Sequence, residues 1–536
     1  MAAKVTNMLV GATDRAKFAA VQGSAWSNNI YYSRNGKNEY MESVPGLKKF
    51  AMTATSVNSC RGSYVSTIGL RSESSPEDLF VVFDTTFYRV TPAGVLQALG
   101  TVAPSGRISF AETGGPRALL LIADGVNLQA YDLLEGGALK PVQLPERITE
   151  GGGIISPTHV AVVGGSIVVN DKDSGYCYYS KAYPLASDTR TMFQVDANGK
   201  PVYDSDGVTV LTDGFDAFAH VFEDDYHVQQ YFNTESSSDN INGLYAVGPT
   251  LYVFGTKTVE IWQRGTGEYE DWVRTSYTAQ NSFGLEAPFS VASSGSVVYF
   301  VASGAQYGKC VMMATGTQFK KVSETFLDDK LMKNPEGQAF GFCYSEGEHN
   351  FFVMQLPGCN ETWVYDALDG GWHQRSSVGD LGTDVRWRAE SVAYWREKFY
   401  AFTRDGLVCT FMRDYFAEDF RTGETRPVIR RRQTGVVVDN FRPFTIEELA
   451  VECNVGMFED YDTEPQMMLE VSKDGGHTFG TAKAAGLGHT GQYSHRVRWR
   501  NLGYNRKCVV RVSFSAPVDL VISSCEIRAT ATEAMI

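Results

Sequence analysis

The sequence predicts an all-β protein, a β-propeller of about six or seven blades followed by a C-terminal β-sandwich-like domain. Three observations carry that expectation. Short apolar or aromatic runs of strand length alternate with turns bearing glycine or aspartate, as in Leu79–Phe83, Thr86–Val90, Ala118–Ile122, Ser166–Asn170, Leu251–Gly255, Phe351–Gln355 and Lys398–Thr403. These runs cluster at intervals of about 40 to 50 residues, the length of one four-stranded blade. After Arg421-Thr422-Gly423 the texture changes to longer alternating strands, among them Met467–Ser472, His495–Trp499, Val509–Phe514 and Leu520–Ile527.

In chain order, residues 1–58 form an N-terminal segment expected to dock on the C-terminal domain. Residues 59–427 are assigned to the propeller, where two local signatures support hairpin blades. One is an aromatic strand running into Tyr-Asp, at Leu128–Asp132 and again at Thr362–Asp366, the latter followed by Gly371-Trp372-His373. The other is a strand that closes on glycine and restarts at once, Leu251–Gly255 into Thr258–Trp262. The polar stretch 188–242, with turns at Asp196-Ala197-Asn198-Gly199 and Asp204-Ser205-Asp206-Gly207, reads as a hairpin and loop inserted into one blade and as a contact element. Residues 428–536 are the sandwich, opening on the basic run Arg430-Arg431-Arg432.

Composition narrows the function. A net charge of −14 has the wrong sign for gripping a nucleic-acid backbone over the whole surface, yet suits a wall past which DNA slides. Nine cysteines without a CxxC pair point to reduced, buried thiols and assembly in a cytoplasm. No signal peptide and no stretch of roughly 18 apolar residues is evident, so neither export by the usual route nor membrane insertion is expected.

The chemical motifs favour structural readings. Ser472, Asp474, Gly476, Thr478 and Phe479 fit an Asp-box, a tight hairpin in which side-chain oxygens satisfy backbone donors. Sialidases carry several such boxes within their propellers; here there is one, outside it. The acidic clusters Glu223-Asp224-Asp225 and Glu459-Asp460 with Asp462 read as solvated loops rather than as an acid and a nucleophile. Asp171-Lys172-Asp173-Ser174-Gly175 reads as a turn, since nothing supplies the glutamate that completes an EF-hand loop. The eight histidines show no metal-ligand spacing, and nucleophile-elbow, phosphate-loop and dinucleotide motifs are missing. Neither catalytic residues nor a metal or cofactor are therefore expected. Arg430, Arg431 and Arg432 either make ion pairs across a subunit boundary or touch DNA phosphates in a channel, and the negative net charge favours the boundary. Three consecutive strand residues cannot all face one way.

The C-terminal residues also carry a resemblance. Leu469-Glu470-Val471-Ser472-Lys473-Asp474-Gly475-Gly476-His477-Thr478-Phe479, then Gly491-Gln492-Tyr493, then Val497-Arg498-Trp499-Arg500-Asn501-Leu502-Gly503 with Arg506, and Phe514-Ser515-Ala516-Pro517-Val518 resemble the tail-hub or nozzle proteins of short-tailed bacteriophages, also called packaged-DNA stabilisation proteins. The strand pair Leu251–Trp262, the segment 281–290 and the stretch from Tyr365-Asp366 to Trp372-His373 are similar to the same family, so the likeness spans roughly residues 160–530 in order. It implies a virion tail protein, a hexameric ring beneath the portal and adaptor rings. That ring retains packaged DNA, conducts it during ejection without reading its sequence, and meets a tail fibre, tailspike or needle at its far end. The alternative is a carbohydrate-active propeller, a glycan hydrolase or a lectin-like receptor-binding protein, with Trp262, Trp363 and Trp372 lining its pocket. A third reading is an adhesin-like scaffold with no channel.

Overall fold

The computed structural model describes residues 2–6, 9, 25–35, 38–69, 77–114, 118–148, 152–182, 192–194, 196, 200–213, 218–224, 227–234, 239–265, 272–275, 283–438, 442–455 and 464–531. Seven antiparallel sheets follow one another around a ring. Blade 1 comprises Cys60–Ser66, Asp78–Phe83, Thr86–Val90 and Leu96–Thr101, and blade 2 Ser109–Glu112, Leu119–Ala123, Leu128–Asp132 and Lys140–Pro141. Blade 3 is Val160–Val163, Ser166–Asn170, Tyr176–Ala182 and Tyr231–Asn233, and blade 4 Ile241–Val247, Thr250–Gly255, Val259–Arg264 and Trp272–Arg274. Blade 5 runs from Phe283–Leu285 and Ala292–Ser294 through Val297–Gly304 and Gly308–Thr315 to Gln318–Lys321, and blade 6 is Phe340–Glu346, His349–Leu356, Glu361–Asp366 and Gly371–Val378. Blade 7 takes Ala389–Trp395, Lys398–Thr403 and Leu407–Met412 from this end of the chain.

Each blade is covered on both faces, which is why its second strand is a nearly unbroken apolar run. Every residue of Asp78–Phe83 and of Leu119–Ala123 is buried. Leu79, Val81 and Phe83 face Trp395, Phe402 and Val408 of blade 7, while Phe80 and Val82 face Leu120, Ile122 and Tyr131 of blade 2. Both Tyr-Asp signatures end the third strand of a blade. There Asp132 Oδ1 accepts the amides of Leu134 and Glu135, and Asp366 Oδ1 that of Leu368, so the repeated aspartate is a turn device.

The outer strand of blade 7 is Gly46–Met52, which pairs antiparallel with Leu407–Met412. The propeller thus takes its closing strand from within the segment that the sequence sets apart as N-terminal. Closure removes the exposed edge that blade 7 would otherwise present. On the inner side Ser63 and Ser391 hydroxyls meet at 2.6 Å between blades 1 and 7. Beside the seam lies Glu418, opposite Leu47 and 3% exposed, accepting a hydrogen bond from Ser377 at 3.0 Å. Burial pushes its carboxyl up to about 7 against the opposing pull of Arg388. A raised acid favours the folded state below its ordinary value near 4.5 and loses that advantage as pH rises through about 7. Urea unfolding at pH 5 and pH 8 is therefore expected to give a larger loss of stability at the higher pH for the native chain than for Glu418→Gln; equal losses would place the pH response elsewhere.

The second domain is a two-sheet sandwich. One sheet orders Ile30–Asn35, Asn38–Ser43, Val521–Ala531, Phe444–Cys453 and Val497–Asn505, with Ala2–Thr6 also pairing to Val521–Ala531. The other contains Arg430–Gln433, Lys507–Phe514, Gln466–Ser472 and Lys483–Gly486. Leu449, Trp499, Val510, Phe514 and Ile527 fill the space between them together with Leu9, Ile30 and Met41 from the N-terminal segment. Trp26–Asn28 lies between Arg430–Gln433 and the last long strand of blade 6, so one sheet runs continuously from propeller into sandwich. Helix α1, Thr325–Lys333, is the one α-helix among the described residues and buries Leu327 and Leu331, one turn apart, beside blades 5 and 6.

Candidate functional site

The innermost strands of all seven blades converge on a central cavity of about 520 Å³. Arg61, Arg107, Ser109, Glu112, His159 and Tyr245 are its principal polar lining. Most of their polar atoms are spent on the scaffold. Arg61 donates to the carbonyls of Asp84, Ser105 and Gly106 at 2.8, 2.7 and 2.5 Å, and Arg107 to the Glu390 carbonyl at 2.9 Å. His159 stacks on Phe289 with ring centres 4.8 Å apart, and burial lowers its pKa to about 4, keeping it neutral. Glu112 is the one carboxylate among the lining residues and accepts from the Thr67 hydroxyl at 2.8 Å. A glycosidase needs two carboxyls across its cleft. At roughly 30 Å³ per water the cavity holds a modest cluster of solvent and is far too small to pass duplex DNA.

The three tryptophans of the carbohydrate reading do not line this cavity. Trp262 is 7% exposed and packs on Phe232 between blades 3 and 4, its indole donating to Glu260 at 2.9 Å. Trp363 and Trp372 share the core beside blades 5 and 6, donating to Glu361 and to the Val322 carbonyl, each at 2.9 Å. They are packing residues with satisfied indoles.

The arginine run lies at the junction of propeller and sandwich, and for Arg430 and Arg432 the structure departs from both sequence readings. Arg430 and Arg432 are 1% and 2% exposed, so neither reaches a phosphate backbone nor a neighbouring subunit. Arg430 donates to the carbonyls of Ala516 and Val518 and lies over the rings of Phe416 and Phe514, at 5.3 and 4.6 Å. Arg432 donates to the Leu9 carbonyl and the Ser27 hydroxyl, and burial lowers its pKa to about 10. Arg431, on the opposite face of the strand, pairs with Asp384. The physical reason is the two-residue period of a strand sandwiched between a core and blade 6. Close by, His349 Nδ1 meets Asp366 at 2.5 Å and its Nε2 meets Ser33 Oγ at 2.9 Å, tying blade 6 to the sandwich.

The Asp-box forms a tight turn. Asp474 accepts the amides of His477 and Thr478 at 3.0 Å and the hydroxyls of Ser472 and Thr478 at 2.6 Å; Gly476 donates to Ser472 Oγ at 2.8 Å. These bonds hold the Asp474 carboxyl well below the usual carboxylate range. Phe479 lies 3.8 Å beneath the Arg511 guanidinium. Asp171 instead reaches outside its own turn, accepting the Ser156 amide at 2.9 Å and pairing with Arg147. All nine cysteines are free, and burial pushes Cys60, Cys453 and Cys525 up to about 12, which leaves them as inert thiols.

The insertion leaves blade 3 between its third and fourth strands. Met192–Phe193 pairs with Thr212–Asp213, while Tyr231–Asn233 returns as the outer strand, so Tyr231–Asn233 belongs to blade 3 and Ile241 and Asn242 to blade 4 rather than to the excursion. Asp204 and Asp206 accept backbone amides of their own turn. Residues 197–199, 225 and 456–463, carrying parts of the expected turn and acidic clusters, lie outside the described residues, as do residues 281 and 282 of the resembling segment. The fold brings together one group that sequence reasoning missed, His220, Glu223 and His227, whose i, i+3 and i+7 spacing would share one face of a helix but here falls on a turn.

Against known proteins, a family model described as Bacteriophage P22 Gp10, beta-propeller, matches residues 29–401, and a second, described as Bacteriophage P22 Gp10, beta-sandwich, matches residues 429–530. No curated protein matches the chain. Among solved structures it is similar to BamB from Moraxella catarrhalis, at 12% identity over 73% of this chain and 96% of that one with a TM-score of 0.28. It is also similar to BBS1N in complex with ARL6DN, at 9% identity over 68% and 96% with a TM-score of 0.39, and to YCF48 bound to D1 peptide, at 10% over 69% and 98% with 0.35. At such scores the likeness says nothing of function.

Proposed function

Because the chain belongs to the bacteriophage P22 Gp10 family, with that family's propeller and sandwich in order along it, we propose that it is a non-catalytic tail-nozzle subunit that assembles into a hexameric ring below the portal and adaptor. The paired match over 29–401 and 429–530 is the observation that carries the reading. Such a ring would retain the packaged genome and conduct it during ejection. It would be built in the host cytoplasm, where the nine free thiols stay reduced.

The cavity supports one refinement. A propeller channel of about 520 Å³ leaves no path for a duplex through a single subunit, so the conduit of this reading runs between copies around the ring axis. A chain with a net charge of −14 offers such a lumen a surplus of carboxylates, which would repel phosphates and lower friction as DNA passes. Portal-adaptor proteins on one side, and a fibre, tailspike or needle on the other, are the partners of this arrangement.

Native mass spectrometry of the purified chain, with negative-stain imaging of intact particles, tests it. The expected result is a closed ring near six times the 59.0 kDa chain mass, or density for it below the portal. A persistent monomer that cleaves surface glycans, with the activity abolished by one carboxylate substitution, would overturn it in favour of a carbohydrate-active propeller.

A further inference from the structure

We propose that His220, Glu223 and His227 form a binding site for one divalent transition-metal ion of the zinc class, clamping the hairpin that packs against blades 2 and 3. The base of that hairpin is anchored. Val221 and Phe222, each 2% exposed, are buried in the apolar core shared by the two blades, beside Leu128, Val142 and Val160. Outside the core, Gln143 donates its amide to the Phe218 carbonyl at 2.7 Å. Glu223 and Gln229 form an antiparallel bridge, and the Asp224 amide reaches the Val228 carbonyl at 2.8 Å across the turn.

This framework aims three ligands at one point. His220 Nδ1 and His227 Nδ1 lie 2.8 and 3.1 Å from the same Glu223 oxygen, and the ligand atoms of the three residues all fall within 4.8 Å of one another. A tetrahedral ion with bonds of about 2.0–2.2 Å holds neighbouring ligand atoms about 3.3 Å apart, so each histidine need move from Glu223 by only a few tenths of an ångström while the two rings close on each other by up to about 1.5 Å. Both histidines hold left-handed backbone, with φ of 55° and 64°, and their rings stand 81° apart, so each presents Nδ1 to the carboxylate from a different side.

The donor set selects the ion. Two imidazoles and a carboxylate suit zinc and its late first-row neighbours, whereas calcium and magnesium prefer all-oxygen shells. Each neutral ring binds through Nδ1 once its proton resides on Nε2, so no net proton need leave. Side-chain exposures of 42% for His220, 23% for His227 and 18% for Glu223 leave a route for the ion and room for water as the fourth ligand. The inference is independent of the nozzle reading.

Calorimetric titration of the EDTA-dialysed full chain with zinc chloride, and with magnesium chloride as control, tests the site. The expected result is one zinc per chain and no magnesium heat, with His220→Asn and His227→Asn each weakening zinc by at least about tenfold. Asparagine tolerates the left-handed backbone of both positions, and Glu223→Gln, which leaves that backbone untouched, provides a second variant should either fail to fold. Cobalt substitution separates this site from the cysteines, since nitrogen and oxygen ligation gives visible absorption without a near-ultraviolet thiolate band. No saturable zinc binding, unchanged binding in the variants, or a thiolate band would each overturn the proposal.

Discussion

Arg430→Met is expected to lower unfolding stability by about 3 kcal/mol, while Arg431→Met one residue away changes it by less than about 1 kcal/mol. The two side chains are adjacent in sequence and opposite in environment. Arg430 satisfies the Ala516 and Val518 carbonyls inside a closed junction, and methionine would replace its stem without its donors. Each buried carbonyl left without its donor costs about 1–3 kcal/mol. Arg431 is partly exposed and holds Asp384 at the surface, where an ion pair contributes little. Guanidinium unfolding followed by tryptophan fluorescence gives both values. Equal losses for the two variants would mean that the strand does not alternate as described.

Gly46→Val is expected to be as damaging, at about 3 kcal/mol or more, with loss of the closed propeller. A Cβ built at Gly46 runs into the backbone of Ala417, coming within 2.6 Å of its amide nitrogen, where no side-chain movement can relieve it. The strand Gly46–Met52 would have to withdraw from Leu407–Met412, uncovering Leu47 and Ala51, which are 0% and 4% exposed. Gly114→Ala is the matched control, since a Cβ there meets nothing within 4 Å, and it should change stability by no more than about 0.5 kcal/mol. Thermal melts and limited proteolysis of the three proteins read the difference. A Gly46 variant as resistant as the control would show that the ring does not depend on this strand.

What was legible beforehand follows from periodicity. Runs such as Leu79–Phe83 read as strands because a blade buries both of their faces, and the alternation of Met467–Ser472 reads as a sandwich strand because only one face is buried. The single Asp-box was legible as a turn because all its bonds join residues within a few positions of one another. Even the arginine run carried its own warning that its members must diverge.

Sequence alone therefore determined the fold class, the order of the two domains and the family, since strand pattern and turn chemistry are local and survive in one dimension. Tertiary structure decided everything that rests on residues hundreds of positions apart. Gly46–Met52 closes a blade begun at Ala389, and Arg432 reaches back to Leu9 and Ser27. It also gathered His220, Glu223 and His227, because a turn held against two blades, and not a helix, sets where their side chains meet. Which strand seals a ring depends on where a distant edge presents unpaired amides and carbonyls, and no local pattern records that.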